Sequence, residues 1–148
     1  MNKFNVRVYG LLINKNNEIL ITDEEINEFR FTKFPGGGLE FGEGLVDALK
    51  REFIEECNLE VAILKHFYTT DFFVKSLFSD EQLISVYYLV KPIGEVNIKI
   101  SASPFDFSDQ EEINKQSFRM KSIPNISESE LNFPVDKYVL GLLKKNFH

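Results

Sequence analysis

Short apolar stretches separated by polar turns dominate the first part of the chain and predict β-strands. Phe4 to Ile13 is rich in apolar and β-branched residues, Asn14–Asn17 is a turn cluster, and Glu18 to Thr22 is a second strand pattern. Two such runs joined by a short polar turn predict a β-hairpin. The same reasoning predicts further strands later in the chain, at Leu59–Phe73, Gln82–Val90, Glu95–Ile100 and within Ile113–Ile123.

Two segments have the apolar spacing of helices. In Gly44–Cys57, Leu45, Leu49 and Phe53 recur at i, i+4 and i+8, and the following Asn58 tolerates the left-handed conformation found at helix C-termini. Pro134–Lys145 is predicted as the last helix, because proline is favoured in the first turn of a helix and the two lysines at its end complement the helix dipole. Before it, Ser127 followed three residues later by Glu130 has the spacing of a capping box.

This order of elements predicts the fold class. Strands dominate, with one central and one C-terminal helix, and the order is not a regular βαβα alternation. No internal repeat or linker divides the chain, so we predict one domain over residues 1–148. A mixed β-sheet packed between helices, an α+β fold, is the expected arrangement.

Composition and charge narrow the classes of function. The chain has 148 residues, a net charge of −6 and a pI of about 5.0, which disfavours nucleic-acid binding. A divalent cation can nevertheless bridge an acidic protein to a phosphate. The lone Cys57 allows no intramolecular disulfide and no apolar run approaches a membrane span, so we expect a cytoplasmic protein without a membrane partner. The oligomeric state stays open, with a homodimer among the options.

One side of the central helix carries three carboxylates. At about 100° per residue, Glu52, Glu55 and Glu56 fall within an arc of roughly 100°, beside the apolar face. Carboxylates this close repel one another, and a hard divalent cation relieves the repulsion. Magnesium also activates water and neutralises charge on a leaving phosphate. Taken alone, an acidic helix face is more often simply solvated.

Residues around this helix supply candidate partners. Arg51 is placed to pair with Glu55 or Glu43 and fix its direction. The run Gly36, Gly37 and Gly38 allows backbone carbonyls or amides to approach a metal or a phosphate closely.

Substrate contacts are assigned by residue type. Gly37 and Gly38 are expected to approach the substrate through their backbone. Arg7 is a candidate phosphate contact and Phe34 a candidate ring for stacking on a base. For both side chains the ordinary alternatives are a solvated arginine and a core phenylalanine.

The segment 37–59 resembles the signature of the Nudix (MutT-like) hydrolase family. That signature reads Gly, five residues, Glu, seven residues, Arg-Glu, an aliphatic residue, any residue, Glu-Glu, any residue, Gly and an aliphatic residue. Its matching positions here are Gly37, Glu43, Arg51, Glu52, Glu55, Glu56 and Leu59. Phe53 replaces the aliphatic residue and Asn58 replaces the glycine, and neither position carries a metal ligand.

The resemblance implies an α/β/α sandwich and a Mg²⁺-dependent enzyme, with Mn²⁺ as a substitute, that hydrolyses a nucleoside diphosphate linked to another moiety. It implies that Glu52, Glu55 and Glu56 bind the metal, or that Glu52 is the base while the other two bind. Gly36 would add a carbonyl ligand, and Glu43 and Arg51 would orient the loop and helix. A later acid is also expected, from Asp109, Glu111 or Glu112, with Glu112 favoured.

Other functions are compatible with the same fold. A non-catalytic sensor of nucleotides or sugar phosphates is the main alternative, although a complete acid set is unnecessary for binding alone. A diphosphate isomerase is disfavoured because Cys57 lies inside the signature helix and the chain has no tryptophan. The identity of the small-molecule substrate depends on loops that the sequence does not decode.

Overall fold

The computed structural model describes residues 3–146, which form two compact units. The first unit contains residues 3–12 and 35–96, and the second contains residues 13–34 and 97–146. Residues 1–2 and 147–148, the ends of the domain predicted from the sequence, lie outside the described residues. The prediction of a single domain stays a prediction.

Strands and helices follow one another in the order ββββαβββα. They are β1 (Lys3–Leu12), β2 (Glu18–Ile26), β3 (Phe29–Lys33), β4 (Gly36–Gly38), α1 (Leu45–Cys57), β5 (Val61–Thr69), β6 (Glu81–Pro92), β7 (Lys115–Ser122) and α2 (Pro134–Asn146). A single-turn 3₁₀ helix, Glu128–Glu130, precedes α2. Among residues 3–146, neither α-helix has the length and hydropathy that crossing a bilayer requires.

The first unit is a mixed four-stranded sheet with the order β4-β1-β6-β5, and it carries α1. The central pair, β1 and β6, is parallel, and the other two pairs are antiparallel. A Cβ atom built on Gly10 in β1 would overlap the ring of Phe53 in α1. The absence of a side chain at Gly10 therefore lets the helix pack closely on this sheet.

The second unit is an antiparallel three-stranded sheet with the order β3-β2-β7, and it carries α2. Strands β2 and β3 form a hairpin whose turn residues, Asn27 and Glu28, both have positive φ angles of 50° and 69°. Asp23 in β2 is fully buried and accepts two hydrogen bonds from Arg119 in β7, at 2.6 and 2.8 Å. This paired charge satisfies a carboxylate that would otherwise be costly to bury.

Local signals in the sequence are confirmed. Helix α1 begins after Gly44 and is capped at its C-terminus by Asn58, whose φ of 48° and ψ of 42° are left-handed. Ser127 and Glu130 form the predicted capping box, with both of its hydrogen bonds present, and α2 occupies the predicted segment. Two helices with predominantly strand structure, one sheet being mixed, also confirm the α+β class.

The predicted hairpin of the first two strands is wrong. β1 pairs with β4 and β6, whereas β2 pairs with β3 and β7, so the two strands belong to different sheets. Only an isolated bridge, Ile13 to Ile19, joins the chain across the turn. The turn at Asn14–Asn17 is real, but the choice of partner strand is set by distant residues that a local pattern does not reveal.

Two other predicted strands also differ from the structure. Glu95–Ile100 is not a strand, because only Ile100 pairs, in an isolated bridge with Phe118. The strand predicted at Leu59–Phe73 is shorter, since β5 stops at Thr69. Apolar and β-branched residues fit any half-buried extended segment, so such a pattern does not by itself identify a hydrogen-bonded strand.

Candidate active site

The acidic side of α1 is fixed by the burial of its apolar side. Four residues of the helix are buried and set its rotation: Ala48, Leu49, Phe53 and Cys57. On the adjoining side, Glu52 and Glu56 are partly buried and the side chain of Glu55 is 57% exposed. The amphipathic pattern therefore determines where the three carboxylates predicted from the sequence emerge.

Arg51 connects the helix to the glycine-rich segment. Its guanidinium donates to both carboxylate oxygens of Glu43, at 2.6 and 3.0 Å, and to the carbonyl oxygen of Gly38, at 3.0 Å. The same group donates from Nη1 to Glu52 at 3.0 Å and to Glu55 at 3.2 Å. One side chain thus holds three carboxylates and a backbone carbonyl in a fixed arrangement.

Within this cluster, Arg51 and Glu43 each stabilise the charged form of the other. The hydrogen bonds that Arg51 donates to Glu43 hold the pKa of the Arg51 guanidinium well above its ordinary value, although desolvation acts in the opposite direction. In turn, Arg51 lowers the pKa of the Glu43 carboxyl, and the backbone N–H of Glu40 contributes to the same shift. The sequence predicted that Arg51 pairs with Glu43 or Glu55, and in the structure Arg51 binds both. Sequence reasoning did not single out Glu40, whose carboxylate lies 3.7 Å from Arg51.

The glycines of β4 bring the backbone against the acidic helix. A Cβ atom on Gly37 would lie 2.5–2.6 Å from the carboxylate atoms of Glu52. At Gly36, where φ is 151°, a Cβ atom would overlap the carbonyl oxygen of Val8. The positive φ and the backbone overlap require glycine at Gly36, and the lack of a side chain at Gly37 leaves the backbone next to the carboxylate of Glu52.

Arg7 of β1 lies beside the same glycines. It is paired in register with Gly38, and its Nε donates to the hydroxyl oxygen of Tyr9 at 2.7 Å. Burial disfavours its charge, but Tyr9, Glu52 and Glu56 together raise the pKa of Arg7 above its ordinary value. The structure therefore brings Arg7 to the acidic side of α1. Tyr9 is a further residue of this site that the sequence analysis missed; its position two residues after Arg7 in the same strand was the only sequence feature that could have indicated it.

The donor chemistry of this site fits a hard divalent cation. The side chains of Glu52, Glu55 and Glu56 and the carbonyl groups of the glycine segment offer only oxygen ligands. Oε2 of Glu56 is sheltered from solvent. Within residues 3–146, however, no three acidic, histidine or cysteine side chains already converge on one point, and Arg51 bridges Glu52 and Glu55 instead.

Two residues predicted for the site lie in the second unit. Phe34 is fully buried there, so its ring has no open face, and we do not carry its predicted role in base stacking into the proposed site. Glu112 is exposed in the loop before β7. Its neighbour Asp109 is engaged by Lys99 at 3.1 Å, and this contact lowers the pKa of Asp109.

The sequence matches the family model of the NUDIX domain over residues 3–129, which is most of the chain. The chain belongs to the Nudix hydrolase family. Its Nudix signature is the segment that builds the Arg51 cluster, so family membership and local geometry concern the same residues. The prediction of a Nudix hydrolase made from the sequence is confirmed.

Solved Nudix structures share the fold. A NUDIX hydrolase from Nitrosomonas europaea has a TM-score of 0.72 at 15% identity, covering 97% of this chain and 90% of that one. A MutT protein from Methanosarcina mazei Go1 has a TM-score of 0.68 at 17% identity, covering 98% and 96%. A MutT NUDIX hydrolase from Burkholderia pseudomallei has a TM-score of 0.70 at 15% identity, covering 94% and 97%. The comparison with curated proteins found no match.

Proposed function

We propose that this Nudix protein is a Mg²⁺-dependent pyrophosphohydrolase. It cleaves a phosphoanhydride bond in a small molecule in which a nucleoside diphosphate is linked to another moiety. The observation that carries the proposal is the Arg51 cluster, in which one guanidinium joins Glu43, Glu52 and Glu55 to the carbonyl of Gly38. A solvated acidic helix face has no need of such an arrangement.

The metal is assigned to the acidic side of α1. Glu52, Glu55 and Glu56 would hold Mg²⁺, or Mn²⁺ in its place, and the carbonyl of Gly36 would add a ligand. When bound, the metal supplies charge neutralisation at the phosphates and a more acidic water. The protein supplies fixed oxygen donors, since Arg51 orients Glu52 and Glu55 and the absence of a side chain at Gly37 leaves room for the carboxylate of Glu52.

The remaining residues take roles set by their chemistry. Either Glu52 or Glu55 accepts the proton of the attacking water, because both carboxylates lie on the acidic side of α1. Arg7 and the backbone of Gly37 and Gly38 contact the diphosphate. Glu43 and Arg51 act as positioning residues that hold the glycine segment against α1.

Two further proposals concern Glu112 and the compartment in which the protein works. Glu112, exposed in a loop that holds several acids, is proposed as a further acid for the reaction. A Glu112→Gln variant that turns over at the wild-type rate would remove it from the mechanism. The protein is also proposed to work in the cytoplasm, where its one cysteine, Cys57, stays reduced.

A substrate panel tests the proposal directly. Nucleoside triphosphates, dinucleoside polyphosphates, ADP-ribose and nucleotide sugars are assayed with and without Mg²⁺. We expect Mg²⁺-dependent hydrolysis of at least one compound, and a loss of about 10²- to 10⁴-fold in kcat for Glu55→Gln with the fold intact. The exposed Glu60→Gln, just beyond the helix, is the matched control and should keep its activity.

Two results would contradict the proposal. Near-normal turnover by Glu55→Gln on a confirmed substrate would show that Glu55 neither binds the metal nor takes the proton. Binding of panel members without any hydrolysis would instead identify a nucleotide or sugar-phosphate sensor on the Nudix fold.

A further inference from the structure

We propose that Tyr9 is a positioning residue that aims the guanidinium of Arg7 at the diphosphate of the substrate. This inference rests on the proposed function, because it concerns how the same site binds its anionic substrate. It assigns a role to a residue outside the Nudix signature, in strand β1, which precedes the signature in the chain.

The contact between the two side chains fixes the guanidinium. The Tyr9 hydroxyl accepts a hydrogen bond from Nε of Arg7 at 2.7 Å, and the guanidinium carbon lies 5.8 Å from the centre of the Tyr9 ring. An arginine has five N–H donors in a rigid fork. Since Tyr9 accepts from Nε, it fixes the plane of the guanidinium and leaves the N–H donors of the two terminal amino groups for an anionic ligand.

Tyr9 is itself held rigidly. Its side chain is buried, and its ring stacks on Tyr87 with 5.1 Å between ring centres and an angle of 28° between planes. The two tyrosines are register partners on the parallel strands β1 and β6, and Tyr87 is only 1% exposed. A hydroxyl on such a support keeps a fixed position, so it can fix the direction of a longer side chain bound to it.

A terminal amino group of Arg7 lies beside the glycine segment, where the diphosphate is expected to bind. A Cβ atom on Gly38 would lie 3.7 Å from Nη1 of Arg7, so the terminal amino group lies over the glycine segment. The charges of Glu52 and Glu56 are close enough to raise the pKa of Arg7. A polyanion approaching this acidic side meets repulsion, and a cation fixed beside it favours the bound orientation.

A variant that lacks only the Tyr9 hydroxyl tests the positioning of Arg7 separately from the packing of the Tyr9 ring. Tyr9→Phe keeps the ring that stacks on Tyr87 and removes the hydroxyl that accepts from Arg7. Binding of inorganic pyrophosphate, the unit shared by all the proposed substrates, is measured by isothermal titration calorimetry in the presence of Mg²⁺. We expect binding about three- to tenfold weaker for Tyr9→Phe and about 10- to 100-fold weaker for Arg7→Ala.

Matched substitutions control for general effects. Tyr88→Phe removes a hydroxyl from the residue next to Tyr87 in β6, and Arg30→Ala removes an arginine that lies over the rings of Phe105 and Phe107 in the second unit. Both variants should bind pyrophosphate as the wild type does.

The double variant decides whether Tyr9 acts through Arg7. In the Arg7→Ala background, Tyr9→Phe should have no further effect on pyrophosphate binding, because the group it positions is gone. An equal loss in both backgrounds would overturn the inference, as would a wild-type protein that does not bind pyrophosphate with Mg²⁺. These results are separate from failure of the proposed function, which shows as an absence of hydrolysis in the substrate panel.

Discussion

At the scale of single residues, the planar fork of Arg51 holds the acidic cluster together. A lysine in its place keeps the charge but cannot bind both oxygens of Glu43 while also reaching Gly38 and Glu52. We expect Arg51→Lys to lower kcat about 10- to 100-fold, as loss of a group that orients metal ligands does. Steady-state kinetics on the substrate found in the panel measure this. Unchanged kcat would show that positive charge alone is needed; Arg30→Lys is the control.

The bond between Arg51 and Glu43 also makes a prediction about pH. The pKa of Glu43 is lowered from its ordinary value of 4.5 in the folded protein. Its contribution to stability is therefore fully present above about pH 4.5 and is lost as the pH falls through the lowered pKa. Urea unfolding from neutral pH down to about pH 3 should show a shallower acid decline for Glu43→Gln and Arg51→Ala than for wild type. The same acid decline in all three proteins would exclude this linkage.

At the scale of elements, the position of α1 depends on the absence of a side chain at Gly10. Because a Cβ atom there would overlap the ring of Phe53, we expect Gly10→Ala to destabilise the protein by about 1–3 kcal/mol. The overlap involves one side chain, so Gly10→Ala should cost less in a Phe53→Leu background. Chemical denaturation of the four proteins tests this. Equal costs in both backgrounds would mean that Phe53 is not what limits the approach of the helix.

Elements defined by neighbouring residues were predictable. The apolar spacing of α1, the left-handed Asn58 and the capping box of Ser127 and Glu130 all depend on residues within about one or two helical turns. Glu95–Ile100 was wrong as a strand because its apolar pattern says nothing about a hydrogen-bonding partner. Arg7 and Tyr9 are only two residues apart, yet their contact was not predicted. Which face of a strand lines a site depends on the neighbouring strands of the sheet.

At the scale of the whole molecule, strand pairing is the part that the sequence did not reveal. β1 pairs in parallel with β6, so Lys3 lies opposite Glu81 and Leu12 opposite Val90. Such pairs are stabilised by packing between residues far apart in sequence. The Nudix signature nevertheless predicted the family, since its spacing on one helix and one glycine segment is local.

The chain as a whole carries a net charge of −6, yet the proposed substrate is also anionic. A bound divalent cation and the fixed Arg7 and Arg51 give a physical answer, because each places positive charge at the acidic side of α1. Metal binding by Glu52, Glu55 and Glu56 is therefore the claim on which the account most depends.

Titration with Mn²⁺, followed by the electron paramagnetic resonance signal of the free ion, tests this claim most directly. We predict that the wild-type protein binds at least one Mn²⁺ and that Mg²⁺ competes for it. Binding should be lost when Glu52, Glu55 and Glu56 are replaced together by glutamine, and retained in Glu60→Gln. Equal Mn²⁺ binding by the wild type and the triple variant would contradict the account.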